Sequence, residues 1–298
     1  MIMPAARHNF QYADNLDGGG GYDLHVHTTA SDGKLTPGEV LLQAVRLNLE
    51  GLAITDHDTV DGIGPAIEFN LKQKLALELI PGIEFNTEAG PNEIHILAYY
   101  LDYQNASLLQ KLQELKRSRD ERAAKMVQRL KRLGLPIELD RVREIAGGEV
   151  LGRPHVAEAM MEKGYVYSIK EAFARYLGYN QPAYVPRYKF RPEEAIALIK
   201  QCGGVSVLAH PGLIKDQRQV ARIAEMGIDG VEVFYPEHSE QQTVGYLEMA
   251  QSRGLLVTGG SDFHGGLDER GKLGSIRLSR ERIETIKNRL AQGAADFT

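Results

Sequence analysis

The sequence predicts an α/β protein with parallel strands and helices outside them, as in an α/β barrel or a doubly wound sheet, interrupted by a helical insertion. Three observations carry this expectation. Short apolar strands alternate with helical patterns from Tyr22 to Glu84, an all-helical stretch fills the middle of the chain, and the alternation returns after Pro192. At 298 residues, 43% hydrophobic and 25% charged, the chain can bury one large barrel-type core.

Residues 1–21 carry Pro4, mixed polar residues and the run Gly18 to Gly21, which reads as a flexible tail joined to the main domain, residues 22–298. A strand near Tyr22–Val26 leads through a polar loop to a helix near Thr36–Leu47, whose start is marked by Thr36, Pro37 and Glu39. The strand Gly51–Thr55 ends in TDHD. A helix near Ile63–Lys74 follows, then a strand in LELIPGIEF ending at Glu84. Glu93–Tyr100 is a further candidate strand, after which alternation stops. The insertion, at about 102–192, holds a long charged helix from Ala106 to Leu133 and shorter ones near Leu139–Ile145, His155–Lys163 and Ile169–Tyr176. Pro182, Pro186 and Pro192 restrict the chain at its exit. The series resumes with helix Pro192–Gln201, strand Val205–Ala209, helix Lys215–Met226, strand Gly230–Val233, helix Ser239–Arg253, strand Leu255–Thr258 and a last helix near Arg280–Gln292.

Composition narrows the function classes. No apolar run approaches the ~20 residues that cross a bilayer. The N-terminus lacks the basic region and apolar core of a secretory signal. A lone cysteine, Cys202, excludes an internal disulfide framework and reads as a packed residue. A cytoplasmic protein with no membrane contact and no obligate protein partner is expected. The net charge of −5 argues against indiscriminate nucleic-acid binding. Its distribution is uneven: residues 101–200 hold 19 Lys+Arg and 13 Asp+Glu, a net of +6 that leaves −11 for the rest. That basic middle suits either solvated helix faces or anion binding.

His25 and His27 stand one residue apart in YDLHVHTTASDG, so an extended backbone sends both to one side. This is a metal-binding spacing, although a solvated strand face has the same pattern. Other titratable residues fall at strand ends too: Asp56, His57 and Asp58 after the second strand, Glu84 at the end of the third, His210 after VSVLA, and Asp262 and His264 after LLVTGGS. His95 lies in EIHILAYY and Glu232 in a later strand. Each has an ordinary alternative, such as a core histidine at His95 or a turn residue at His210. In a parallel α/β fold, however, C-terminal strand ends share one rim, where active sites form.

HVH with SDG, TDHD, the glutamate of PGIEF, the histidine after it, AHP and SDFH together resemble the polymerase and histidinol phosphatase (PHP) family. The resemblance covers both α/β blocks. It implies a distorted seven-stranded (β/α) barrel, TIM-like, with the insertion as a cap, and up to three divalent metal ions, manganese first, with iron or zinc as alternatives. Carried over residue by residue, it implies one ion on His25, His27, Glu84 and Asp262. A second would share Glu84 with His95 and His210, and a third would use Asp32, His57 and His264. The insertion, with GRPHVA inside it, resembles a branch containing nucleoside 3′,5′-bisphosphate phosphatases and 5′-to-3′ exoribonucleases of short RNA. Arg153 and His155 are then the expected phosphate ligands, with a plain helix N-terminus as the alternative.

The implied chemistry is metal-assisted hydrolysis of a phosphate ester by a metal-bound hydroxide, with no protein nucleophile. Neither a G-x-S-x-G elbow nor a phosphate-binding GKT loop occurs. Arg119, Arg122, Arg187 and Lys189 stay outside the expected site, although Arg119 and Arg122 share a helix face. A phosphatase of histidinol phosphate or another small monoester keeps the same chemistry. A non-catalytic metal-binding module docked on a polymerase is the reading from another class.

Overall fold

A computed structural model describes residues 20–90, 92–147, 151–186, 188–265 and 271–295. Most of the expected tail, residues 1–19, and Arg187 therefore lie outside the described residues. Seven strands form one sheet in chain order: β1 Tyr22–Val26, β2 Gly51–Ile54, β3 Glu78–Ala89, β4 Asn92–Tyr99, β5 Val205–Leu208, β6 Gly230–Phe234 and β7 Leu256–Gly259. The sheet curls until its ends meet. Val26 bridges Phe263, just beyond β7, and the His27 amide donates to the Phe263 carbonyl at 2.9 Å. The result is the expected distorted (β/α) barrel. Strands β1, β2, β5 and β6 are buried along their whole length, because the wrapped sheet has side chains inside and helices outside.

Two features depart from the expected parallel series. Strand β3 does not end at Glu84; it runs five residues further, pairing Phe85 with Ile96 and Ala89 with Asn92. Only residues 90 and 91 join β3 to β4, and so short a link makes a hairpin, which is antiparallel. Gly90 turns the chain with φ of +65°. Strand β4 is antiparallel to β5 as well, whereas the other four pairings are parallel.

The helices are α1 Pro37–Arg46, α2 Ile63–Gln73, α3 Ala106–Arg132, α4 Leu139–Ala146, α5 Arg153–Glu162, α6 Ile169–Ala172, α7 Pro192–Gln201, α8 Gln217–Ala224, α9 Glu240–Arg253 and α10 Arg280–Ala295. Helix α1 starts as its sequence signals: Thr36 Oγ1 accepts from the Glu39 amide, and Glu39 accepts from the Thr36 amide at 2.8 Å. The helix expected over Ile169–Tyr176 is split. It leaves α geometry at Phe173, where a π-helical turn, Phe173–Leu177, is closed by the Gly178 amide on the Phe173 carbonyl. Among the described residues no helix is long and apolar enough to cross a membrane.

The apolar residues form two cores. The larger fills the barrel and its helical coat. The smaller, with Met126, Leu130, Val142, Val156, Met160 and Leu177, lies within the inserted helices. Helix α3 belongs to both, with Leu108, Leu112 and Leu115 in the barrel core and Ala123, Met126 and Leu130 in the other. At ~1.5 Å per residue it is a strut of roughly 40 Å that fixes the cap to the barrel.

Candidate metal centre

Strand geometry brings His25 and His27 to one side, and both are fully buried. Their Nε2 atoms meet the same two carboxylates: His25 Nε2 lies 3.3 Å from Glu84 Oε2 and 3.3 Å from Asp262 Oδ1, and His27 Nε2 lies 3.3 and 3.1 Å from those atoms. Glu84 is the hub. Its Oε2 also faces His57 Nδ1 at 2.9 Å, while Oε1 faces His95 Nδ1 at 2.8 Å and His210 Nε2 at 3.0 Å. One carboxylate thus addresses two sets of imidazoles with separate oxygens. On the open side Asp32 Oδ1 lies 3.3 Å from His264 Nε2 and 3.6 Å from His27 Nδ1, and Asp32 Oδ2 lies 3.9 Å from His57 Nε2.

His95 reaches this site for a reason the parallel reading lacked. Strand β4 runs against its neighbours, so a residue near its start, paired with Asn86, stands at the rim where parallel strands end. Glu84, in mid-strand rather than at a strand end, is nevertheless at the rim, because β3 continues past it into the hairpin. All nine residues expected as ligands lie in this one cluster.

Among the described residues, three groups of four, four and three side chains could each hold a metal ion: His25, His27, Glu84 and Asp262; His27, Asp32, His57 and His264; and His57, Glu84 and His95, with ligand atoms within 4.8 Å of one another in each. The first has the membership expected for one ion. The others differ in grouping: His57 stands beside Glu84 and His95 where His210 was expected, His210 touching Glu84 Oε1 from outside these groups, and His27 joins Asp32, His57 and His264 through its second nitrogen. The residues fit cations. His25 Nε2, both nitrogens of His27, His57 Nδ1, His264 Nε2 and Glu84 Oε2 are buried without a hydrogen-bond partner, so lone pairs converge on lone pairs. Burial disfavours charge on His27, but Asp262 and Glu84 outweigh it and push its pKa up to about 10. At His95 burial is likewise outweighed by Glu84, again to about 10. The carboxyls move the other way: burial would raise Glu84 and Asp262, but the surrounding histidines hold both well below the usual range.

Other residues of the strand-end motifs have structural work. Asp56 accepts from the Thr28 amide at 2.7 Å, Thr28 Oγ1 at 2.8 Å and Ser31 Oγ at 2.6 Å, fixing the loop that carries Asp32. Asp58 accepts from the amide and side chain of Asn86 and pairs with Arg119 of α3. His238 accepts from the Gly212 amide and donates to the Val233 carbonyl. Cys202 is buried, as a packed residue should be.

A cavity of about 370 Å³ opens over the cluster. It is lined by Ser31, Asp32, His57, Asn86, Glu93 and His95 of the barrel and by Arg119, Arg122, Arg153 and His155 of the inserted helices, with Phe173 and Leu151 as apolar lining. Helix α5 begins at Arg153, two residues before the expected start, so both candidate phosphate ligands occupy its first turn. Arg153 lies over the Phe173 ring, 5.1 Å from its centre, in the π-helical turn. The Gly152 amide donates to His155 Nδ1, which leaves the ring proton on Nε2, and burial lowers the His155 pKa against the pull of Glu158 and Asp32. Arg122 is buried and donates to the Val185 carbonyl at 2.8 Å, so it is no surface residue. The spacing of Arg119 and Arg122 was the available signal. Lys189 is exposed and outside the cavity wall.

Sequence reasoning gave no role to Glu232 or Tyr235. His25 Nδ1 lies 2.9 Å from Glu232 Oε1, the His210 amide donates to Glu232 Oε2 at 2.7 Å, and Tyr235 donates to Asp262 Oδ2 at 2.9 Å. A glutamate inside the apolar run GVEVF was the visible signal for the first.

Comparison with known proteins extends this picture. The PHP domain family matches residues 23–226. The 5′-3′ exoribonuclease Rnm of Escherichia coli is 37% identical over 248 residues, which are 82% of this chain and 85% of that protein. A 3′,5′-nucleoside bisphosphate phosphatase of Chromobacterium violaceum is 31% identical over 250 residues, 81% and 86% of the two chains. A solved structure from Bifidobacterium adolescentis, assigned as a metal-dependent phosphoesterase, superposes with a TM-score of 0.76 at 32% identity and covers 91% of this chain and 96% of its own.

Proposed function

The chain belongs to the PHP family and is a hydrolase of phosphoric ester bonds, and from that premise we propose that it hydrolyses nucleotide phosphate esters: nucleoside 3′,5′-bisphosphates and the 5′ ends of short RNA. One observation carries the substrate reading: a single cavity is lined both by Asp32, His57 and His95 of the imidazole–carboxylate cluster and by Arg119, Arg122, Arg153 and His155. A monoester with one phosphate would leave that second, cationic group unused.

We assign up to three divalent ions, manganese first, to His25, His27, Glu84 and Asp262, to Glu84 with His95 and His210, and to Asp32, His57 and His264. Bound there, the ions supply Lewis-acid charge for the phosphoryl oxygens and acidify water. The protein groups do the rest. Glu84 spans two ligand sets with its two oxygens. Arg153, held against Phe173, and His155, with its proton on Nε2, hold a second phosphate at the first turn of α5, where backbone amides add donors. Phe173 and Leu151 offer an apolar wall to the sugar or base. The lone cysteine supports a cytoplasmic setting for such an enzyme.

The test is a substrate panel of adenosine 3′,5′-bisphosphate, AMP, histidinol phosphate and a 5′-phosphorylated oligoribonucleotide, with product analysis. Preference for the bisphosphate or for release of mononucleotides from the oligonucleotide supports the reading. Preference for histidinol phosphate replaces it.

A further inference from the structure

The nine candidate ligands are spread round the barrel: on β1 and the loop after it, after β2, on β3 and β4, after β5 and after β7. Strand β6 contributes none. Its residues instead touch the ligands of three other strands. Glu232 is fully buried and divides its two oxygens between His25 Nδ1 and the His210 amide. Tyr235, just past the strand, donates to Asp262 Oδ2, so that Asp262 Oδ1 is the oxygen facing His25 and His27. The β6–β7 register shifts between Glu232 and Phe234, an irregularity of the kind that re-aims side chains.

We infer that Glu232 and Tyr235 are positioning residues, a brace that fixes the first two metal sites from behind. The inference rests on the ligand assignment above. A carboxylate accepts only, so the Glu232 contact puts the His25 proton on Nδ1 and leaves the Nε2 lone pair pointing at Glu84 and Asp262. His210 and Asp262 both have left-handed backbones, with φ of 25° and 53°, a strained state for side chains that carry a Cβ. Each is held by the brace, His210 through its amide and Asp262 through its side chain. Glu232 therefore bears on both sites that share Glu84; the Tyr235 ring packs on His210, 5.4 Å between ring centres, but its hydroxyl, the one group that Tyr235→Phe removes, bears on the first site alone.

Glu232→Gln keeps the volume but not the chemistry. Its amide nitrogen cannot accept, so either His25 Nδ1–H or the His210 amide faces a donor. The experiment measures Mn(II) binding to the metal-free full chain by calorimetry for wild type, Glu232→Gln, Tyr235→Phe and His27→Ala, with thermal melts of each metal-free protein. The expected result is a ~10–100-fold weaker affinity in at least two sites for Glu232→Gln and in one site for Tyr235→Phe, with activity recovered in excess Mn(II). Should Glu232→Gln not fold, Tyr235→Phe decides. Wild-type affinity in Tyr235→Phe and Glu232→Gln, with metal lost in His27→Ala, overturns the brace and leaves the ligand set standing. Metal binding unchanged in His27→Ala overturns the ligand set itself.

Discussion

The barrel rim and the cap line one cavity, yet they bring charge there by different means. At the rim the imidazoles and carboxylates stand on strands or in the segments that follow them, His25, Glu84 and His95 within backbone ladders and Asp32 on a loop fixed by Asp56. In the cap Arg119 and Arg122 project from the side of α3, and Arg153 and His155 from the start of α5. The rim is tied to one core and the cap to another, with α3 common to both. The contrast separates two tasks: strands provide the precision that shared metal ligands require, and a separately packed helical unit can vary what is selected.

Breaking the rim gives the largest effect. Asp262→Ala or His27→Ala is expected to abolish phosphoester hydrolysis on every substrate, with a loss well beyond the ~100-fold typical of groups that only support ligands. Residual activity above a tenth of wild type, with metal content intact, would remove that residue from the ligand set.

A contact between the two regions comes next. Arg119→Ala leaves Asp58, whose side chain is 3% exposed, with Asn86 as its side-chain partner among the described residues, and should destabilise the protein by about 1–3 kcal/mol in urea titrations. An unchanged midpoint would mean that the cap is held by the α3 leucines without this pair.

The rim should also make metal-free stability depend on pH in an unusual direction. His27 and His95 are both raised to about 10 in the folded chain, from ~6.5 unfolded. A raised folded pKa contributes stability that is complete below ~6.5 and is lost as pH climbs towards 10. Chelated protein is therefore expected to melt at falling temperature across that window, and protein with excess metal to resist the fall. A metal-free melting temperature that rises from pH 6.5 to 10 would contradict the assigned pairings. The smallest effect is assigned to the chain start: deletion of residues 1–18 should leave activity and metal content near wild type, and loss of metal would move the domain boundary.

The difference between the regions also decides how much could be read from the residues. Spacing of two along β1 and the apolar runs before TDHD, AHP and SDFH made the rim legible, because strand periodicity and side-chain direction are local properties. The antiparallel course of β4 was less so. With the third strand read as ending at Glu84, eight residues separated it from Glu93 and no hairpin was visible, and the apolar pattern of Glu93–Tyr100 carries no direction. The bond of Arg122 to the Val185 carbonyl and the packing of Arg153 on Phe173 join segments distant in the chain, and local pattern does not encode them. Glu232 lay in plain view as a charge in an apolar strand, but its partners, His25 and His210, are 207 and 22 residues away.

Arg153→Ala tests the division of labour between rim and cap most directly. The quantity is kcat/KM on adenosine 3′,5′-bisphosphate relative to that on a simple chromogenic phosphate. Loss of a charge-assisted contact to a second phosphate of about 1.5–3 kcal/mol predicts a ~10–100-fold fall on the bisphosphate, with the chromogenic substrate little changed. Equal loss on both substrates would contradict it.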